Sequence, residues 1–178
     1  NRDEYKKLRH FAGLIMPSMK RKLMLYNERT SLFDSRGIEK EIEKLYRKKI
    51  GLKCKGYVFI EETEGLVAID VNSGSFSKKG MEETAFRVNS EAAVEIARQI
   101  KLRDIGGIII IDFIDMAKER HRREMFRILL NTSKSDKARI NILRMSEFGI
   151  VQMTRQRIRK GVRRVSYQNC PYCTGRGA

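Results

Sequence analysis

Gly106-Gly107-Ile108-Ile109-Ile110-Ile111-Asp112-Phe113-Ile114-Asp115 is the stretch on which the fold turns. Its branched apolar residues run without polar alternation, the pattern of a central strand covered on both faces, and the run ends in a carboxylate. Working backwards, residues 82–104 read as the longest helix. Phe86, Val94, Ile96, Ala97, Ile100 and Leu102 supply its buried side, and Gly106-Gly107 is expected to end it. Upstream lie two runs of strand character, 56–62 and 65–71, separated by a tight acidic turn and followed by a flexible stretch, 72–80. Working forwards, 118–133 reads as a helix that Asp115 is placed to cap, and 139–145 and 150–153 read as further strands. The order strand, strand, helix, strand, helix, strand is that of an α/β domain whose mixed sheet is flanked by helices.

The N-terminal quarter has a different character. Residues 3–15 form an amphipathic helical pattern stopped by Pro17, residues 22–26 read as a short strand, and residues 35–49 read as a second helix with Ile38, Ile42 and Leu45 on one face. The expected organisation is therefore a neighbouring subdomain over 1–45, the α/β subdomain over 46–167 and a cysteine knuckle over 168–178. Asn1 is not Met and the sequence stops just after a Cys pair, so both ends read as cuts in a longer chain. Hydrophobic residues make up 41% of the 178, enough for a core, which argues against disorder. The longest apolar run, 106–111, is too short to cross a bilayer, and no leader pattern opens the sequence, so a soluble segment without membrane insertion is expected.

The net charge of +16 produces a field that attracts polyanions, with nucleic acid ahead of an anionic membrane surface. The excess is uneven. Between residues 152 and 178, Arg155, Arg157, Arg159, Lys160, Arg163, Arg164 and Arg176 face no acid at all. Either this is a solvated charged face, or it contacts nucleic acid.

Two acids carry the candidate chemistry. In Ala68-Ile69-Asp70-Val71-Asn72-Ser73-Gly74 an apolar strand runs into a carboxylate and then an amide. Residues i and i+2 of a strand point to one side, so Asp70 and Asn72 can address one ligand. Asp112 ends the second strand, at the edge where open α/β sheets place their sites. Facing acids on neighbouring strands repel unless a cation lies between them, and Mg²⁺ suits such a site. The alternative is that these acids only cap turns and helices. His10 and His121 sit beside basic residues and are assigned to the solvated surface. Cys54 reads as a small strand residue.

Cys170-Pro171-Tyr172-Cys173-Thr174-Gly175-Arg176-Gly177 has the form of a metal knuckle. A tetrahedral zinc site needs four ligands and this pair offers two. The other half lies beyond residue 178 or on a second subunit, or else the pair is a redox motif or idle. An odd cysteine count with no disulfide pattern suggests a reducing, cytoplasmic compartment.

With these motifs in view, the chain resembles the catalytic half of the bacterial ribonuclease E/G family. The likeness runs through residues 63–74, Glu82-Glu83-Thr84-Ala85-Phe86, Glu91-Ala92-Ala93, Glu95-Ile96-Ala97-Arg98-Gln99, Leu102-Arg103-Asp104-Ile105-Gly106-Gly107, residues 111–116 and residues 170–177, in one fixed order. It implies a DNase I-like α/β subdomain preceded by the tail of an RNase H-like one. It implies that Asp70 and Asp112 bind a catalytic Mg²⁺ with Asn72 assisting. The implied activity is endonucleolytic hydrolysis of single-stranded, A/U-rich RNA to 5′-phosphate and 3′-hydroxyl ends, in RNA processing and decay. Cys170 and Cys173 match a zinc link to which two subunits each give two thiolates, so a homo-oligomer is implied. RNA-decay partners would bind through regions outside this stretch. Lys101, Arg155 and Arg157 are the expected grips on RNA phosphates. Where family members often carry Ser-Gly-Gly, this chain reads Cys54-Lys55-Gly56, which leaves the pairing of the first catalytic strand open. A catalytically silent RNA-binding or scaffolding module is the rival reading, and a DNA endonuclease the third.

Overall fold

The computed structural model describes residues 1–75 and 80–157 and divides the chain into two compact units, Asn1–Ile42 and Glu43–Ala178. In the first unit, α1 (Arg2–Ile15) is capped by Asn1, whose side chain accepts from the Asp3 and Glu4 amides. Pro17 then occupies the first position of α2 (Pro17–Lys20), where its missing N–H costs nothing. The expected strand at 22–26 does not form. With no neighbouring strand to take up its backbone groups, the segment is irregular. The expected helix at 35–49 is broken. α3 (Leu32–Ser35) stops before Gly37, whose φ is +67°, and α4 (Ile38–Tyr46) follows. No residue of this unit is buried, so it carries no core of its own.

The second unit is built on a six-stranded mixed sheet. Its strands are β1 (Lys49–Gly51), β2 (Tyr57–Glu62), β3 (Val67–Asn72), β4 (Gly107–Asp112), β5 (Ile140–Ile142) and β6 (Ile150–Arg155), in the order β1-β2-β3-β4-β6-β5. Only β3 and β4 run parallel. The helix α5 (Met81–Arg103) joins them, as a parallel pair requires. α6 (Glu119–Ser133) follows β4.

The register aligns one face of every central strand. Val58 pairs Val71, Ile69 pairs Ile111, and Ile111 pairs Val151; all are buried, together with Val88, Ala92, Ile96 and Ile100 of α5 and Met125 and Leu129 of α6. Burying each such branched side chain stabilises the unit by roughly 1.5–3 kcal/mol before entropy is counted. The reading of β4 as covered on both faces is corrected. Ile109 and Ile111 are fully buried, but Ile108 is 51% exposed and Asp112 is exposed, so among the described residues the opposite face of the sheet is open.

Two further expectations change. α5 ends at Asp104, which takes the left-handed conformation (φ +50°), and Gly107 (φ +93°) only turns the chain into β4. Strand β5 is three residues rather than seven: among the described residues it lies at the sheet edge and pairs with β6 over Ile140–Ile142. The variant turn is resolved. Lys55 adopts φ +67° and β2 pairs with β3 from Tyr57 opposite Asn72 onward. Gly74 packs so closely on this turn that a Cβ there would sit 2.5 Å from the Lys55 carbonyl oxygen. Cys54 is buried in the turn itself, not in a strand.

Candidate active site

The parallel pairing of β3 and β4 places Asp70 directly opposite Asp112. Neighbouring strands are about 4.8 Å apart, so two carboxylates leave the same end of the sheet side by side on its open face. Asn72 shares that face and its Nδ2 donates to Asp70 Oδ2 at 2.5 Å, which fixes one carboxylate oxygen and leaves the amide oxygen as a neutral ligand. Partial burial pushes the Asp112 carboxyl above its ordinary range, and the negative charges of Asp70 and Asp115 add to the effect.

The backbone after Asp112 is held from two sides. Asn89, fully buried on α5, donates to the Ile114 carbonyl (2.7 Å) and accepts from the Ile114 amide (3.1 Å). Across the sheet, Phe113 donates to the Gly149 carbonyl, and Gly149, at φ +77°, lies where a Cβ would come within 3.0 Å of the Phe113 oxygen. A lone Asn among the apolar residues of a buried helix face was the sequence signal for this clamp, and it was missed.

A third carboxylate at this end is already used. Glu82 of α5 accepts from the amides of Ala117 and Lys118 (2.8 and 3.1 Å) and lies 2.8 Å from His121 Nδ1. Burial alone would raise its pKa, but these hydrogen bonds and the His121 charge outweigh it and hold the carboxyl low. Two assignments are thereby corrected. Asp115 does not cap α6: the cap is Lys118, with no side-chain bond to the helix, and Glu82 holds the two amides that lead into it. His121 is not solvated; its side chain is 13% exposed and its ring stacks on Phe86 at 4.4 Å. His10 is exposed, as expected.

The expected phosphate grips stand elsewhere. Arg155 pairs with Gly107, at the opposite end of β4 from Asp112 and about 17 Å away along the strand. Its guanidinium is 2% exposed and donates to Asp136 (2.8 Å), Asp104 (2.7 Å) and the Ile105 carbonyl (2.8 Å). The assignment of Arg155 to RNA is therefore corrected: its donors are consumed inside the protein. Lys101 donates to the Ser135 carbonyl at this same end, and Arg157 packs its Cγ on Gly106. The structure brings Asp70, Asn72 and Asp112 together and leaves Lys101, Arg155 and Arg157 apart from them. Cys170 and Cys173 lie outside the described residues.

Among the described residues no group of three or more His, Cys, Asp or Glu converges as a closed metal cage. The donor set is two carboxylates and an amide. It fits Mg²⁺, which takes one or two carboxylates and completes its shell with water and substrate phosphate. No described helix is long and apolar enough to cross a membrane.

Comparison of the sequence with known proteins gives the family. The sequence model of the Ribonuclease E/G family matches residues 1–158. Ribonuclease E of Escherichia coli (strain K12) is 43% identical over 169 residues, covering 94% of this chain and 16% of the relative. Ribonuclease G of the same strain is 40% identical over 174 residues, covering 97% of this chain and 36% of the relative. Ribonuclease G of Haemophilus influenzae is 39% identical over 171 residues, covering 96% and 35%. The chain thus spans about a third or less of the length of these relatives.

Proposed function

The chain belongs to the ribonuclease E/G family, and from that premise we propose that it carries the active site of a Mg²⁺-dependent endoribonuclease. The observation that carries this reading is the Cα pairing of Asp70 with Asp112 at one exposed strand end. Two repelling carboxylates, one with a raised pKa, are costly unless a ligand uses them.

Asp70 and Asp112 would hold the ion, and Asn72 would keep the Asp70 carboxylate in one orientation. When bound, Mg²⁺ supplies a water of lowered pKa and offsets charge on the attacked phosphate. The Asn89 clamp holds the backbone that presents Asp112, so the acid keeps its place as substrate enters. Attack on the phosphorus in line with the 3′ oxygen breaks the P–O3′ bond and leaves 5′-phosphate and 3′-hydroxyl ends. The open face beside the acids favours a single strand, whose backbone can lie flat there; A/U-rich segments, which pair weakly, are the substrate of this reading. The net charge of +16 supports a polyanionic substrate and a steep salt dependence of binding. Within this reading, residues 1–45 are the tail of an RNase H-like subdomain and 46–167 a DNase I-like one, in a bacterial cytoplasmic enzyme of RNA processing and decay.

Cleavage of a single-stranded A/U-rich RNA by the intact protein, with Mg²⁺ or EDTA, tests the proposal. Asp70→Asn and Asp112→Asn should each lower cleavage at least about 100-fold, a barrier change of about 2.7 kcal/mol, while RNA binding persists. Undiminished cutting by either variant would remove that acid from the mechanism. Binding without any cutting by the wild type would favour the scaffolding module, and cutting of DNA alone the DNA endonuclease.

The knuckle belongs to the same reading. Cys170 and Cys173 from each of two copies would complete a tetrahedral Zn²⁺ site. Cys170→Ser, or chelation of zinc, should then lower the oligomeric mass seen in sedimentation; an unchanged mass would count against the link.

A further inference from the structure

The strand register brings a second set of residues to the acid end. Ile150 is the Cα partner of Asp112, so the segment 143–149 between β5 and β6 emerges beside the acid pair. Phe148 stands two residues before Ile150 and is 77% exposed. The next residue, Gly149, is fixed against Phe113 and Asp115. A large aromatic left in water at a rigid turn next to a catalytic pair is not explained by packing.

The four residues before Phe148, Arg144 to Glu147, line a cleft of about 480 Å³. Its walls are the first turns of α6, with Arg122, Arg123 and Phe126, and the 143–149 segment, with Arg144, Met145 and Glu147. Glu119 partly neutralises the helix side, binding Arg122 at 2.8 Å and Arg123 at 2.9 Å. Arg144 is exposed and has no hydrogen bond or ion pair among the described residues. A second cleft, lined by Arg120, Arg123 and Arg127 with Glu119 and Glu124, continues from the first along α6. Along the two clefts Arg120, Arg122, Arg123, Arg127 and Arg144 outnumber Glu119, Glu124 and Glu147, so a net positive charge lies on the α6 side. At the other end of the sheet, the buried arginine is spent on Asp104 and Asp136.

From this arrangement we infer that exposed Phe148 and the Arg144-lined cleft that adjoins it along the chain form the subsite for single-stranded RNA next to the cleaved phosphate: Phe148 stacks a base and Arg144 holds a backbone phosphate. An exposed ring with an unpaired guanidinium nearby is the combination that single strands require, since every base offers a π-face and every linkage a charge. Arg122 and Arg123 extend the phosphate track along α6, exchanging part of their contact with Glu119 for phosphate oxygens. The inference rests on the endoribonuclease reading and assigns that site its substrate grip.

The test is the affinity of the intact protein for a short fluorescent single-stranded RNA, read by anisotropy in EDTA, with cleavage in Mg²⁺ followed separately. Phe148→Ala should raise Kd about 5- to 100-fold, the loss of one stacked base, and Phe148→Tyr should restore it. Arg144→Gln should raise Kd and reduce the slope of log K against log salt by about 1. Lys137→Gln, the same charge removed from an exposed side chain at the far end, just before the strand whose Ile140 pairs Arg155, should leave Kd within about twofold. Both side chains are exposed, so the variants should keep the wild-type circular dichroism. If the wild type binds and cuts RNA while Phe148→Ala and Arg144→Gln match its Kd and salt slope, the subsite is overturned and the endoribonuclease stands. If the wild type neither binds nor cuts RNA, both fall.

Discussion

The two ends of β4 hold the same kinds of residue in opposite states. At its start, Arg155 meets Asp104 and Asp136, and charges of opposite sign are matched and removed from water. Burial by itself would raise the Asp136 pKa, but the Arg155 hydrogen bond, the Ala138 amide and the charges of Arg155 and Lys101 hold it low. At the strand's other end Asp112 faces Asp70, like charges stay exposed, and the Asp112 pKa rises. A charge whose partners are all within the protein serves the fold; like charges placed against each other at an open edge oppose it. Glu82 shows that position alone does not decide this. It lies at the acid end, yet three donors saturate it and it acts structurally.

The largest expected effect sharpens that contrast. Arg155→Met should destabilise the folded unit by about 3–5 kcal/mol in denaturant titration, because Asp104 and Asp136 are left buried without their cation. A loss below about 1 kcal/mol would mean that the buried cluster is not structural. Glu82→Gln should cost about 0.5–2 kcal/mol in the same titration, because its charge-assisted hydrogen bonds to the Ala117 and Lys118 amides weaken. An unchanged stability would break the claim that this acid is structural.

The smallest effect has the opposite sign. With its pKa raised in the fold, Asp112 lowers stability at neutral pH, and that penalty fades as pH falls through the folded pKa and the carboxyl takes up its proton. In metal-free buffer at neutral pH, Asp112→Asn should therefore unfold at the same or a higher denaturant midpoint than the wild type, although it should not cut RNA. The Asp136 contribution runs the other way: present above the ordinary carboxylate pKa and lost on acidification. A clear drop in the Asp112→Asn midpoint would make that acid a structural partner and erase the difference between the two ends.

Much of the sheet was legible because its signals are local. The uninterrupted Ile108–Ile111 run, the alternation through Val67-Ala68-Ile69-Asp70-Val71 and the long apolar face of residues 81–103 each follow from backbone periodicity. Where local pattern needed a distant partner, the reading failed. Residues 22–26 have strand composition and no neighbour to pair with, and residues 35–49 are divided at Gly37. Arg155 looked like one more member of a basic run because nothing in its sequence neighbourhood reveals Asp104 or Asp136, 51 and 19 residues away.

The sequence by itself determined the α/β order, the identity of the two strand-end acids and the excess of positive charge, since composition and period-2 or period-3.6 spacing are properties of the chain alone. Only the tertiary structure decided which charges are matched. The parallel register sets Asp70 against Asp112, α5 brings Glu82 to His121, and the turn before β6 carries Phe148 and Arg144 to the same edge. Electrostatic energy depends on distance in space, and the sequence gives distance only along the chain.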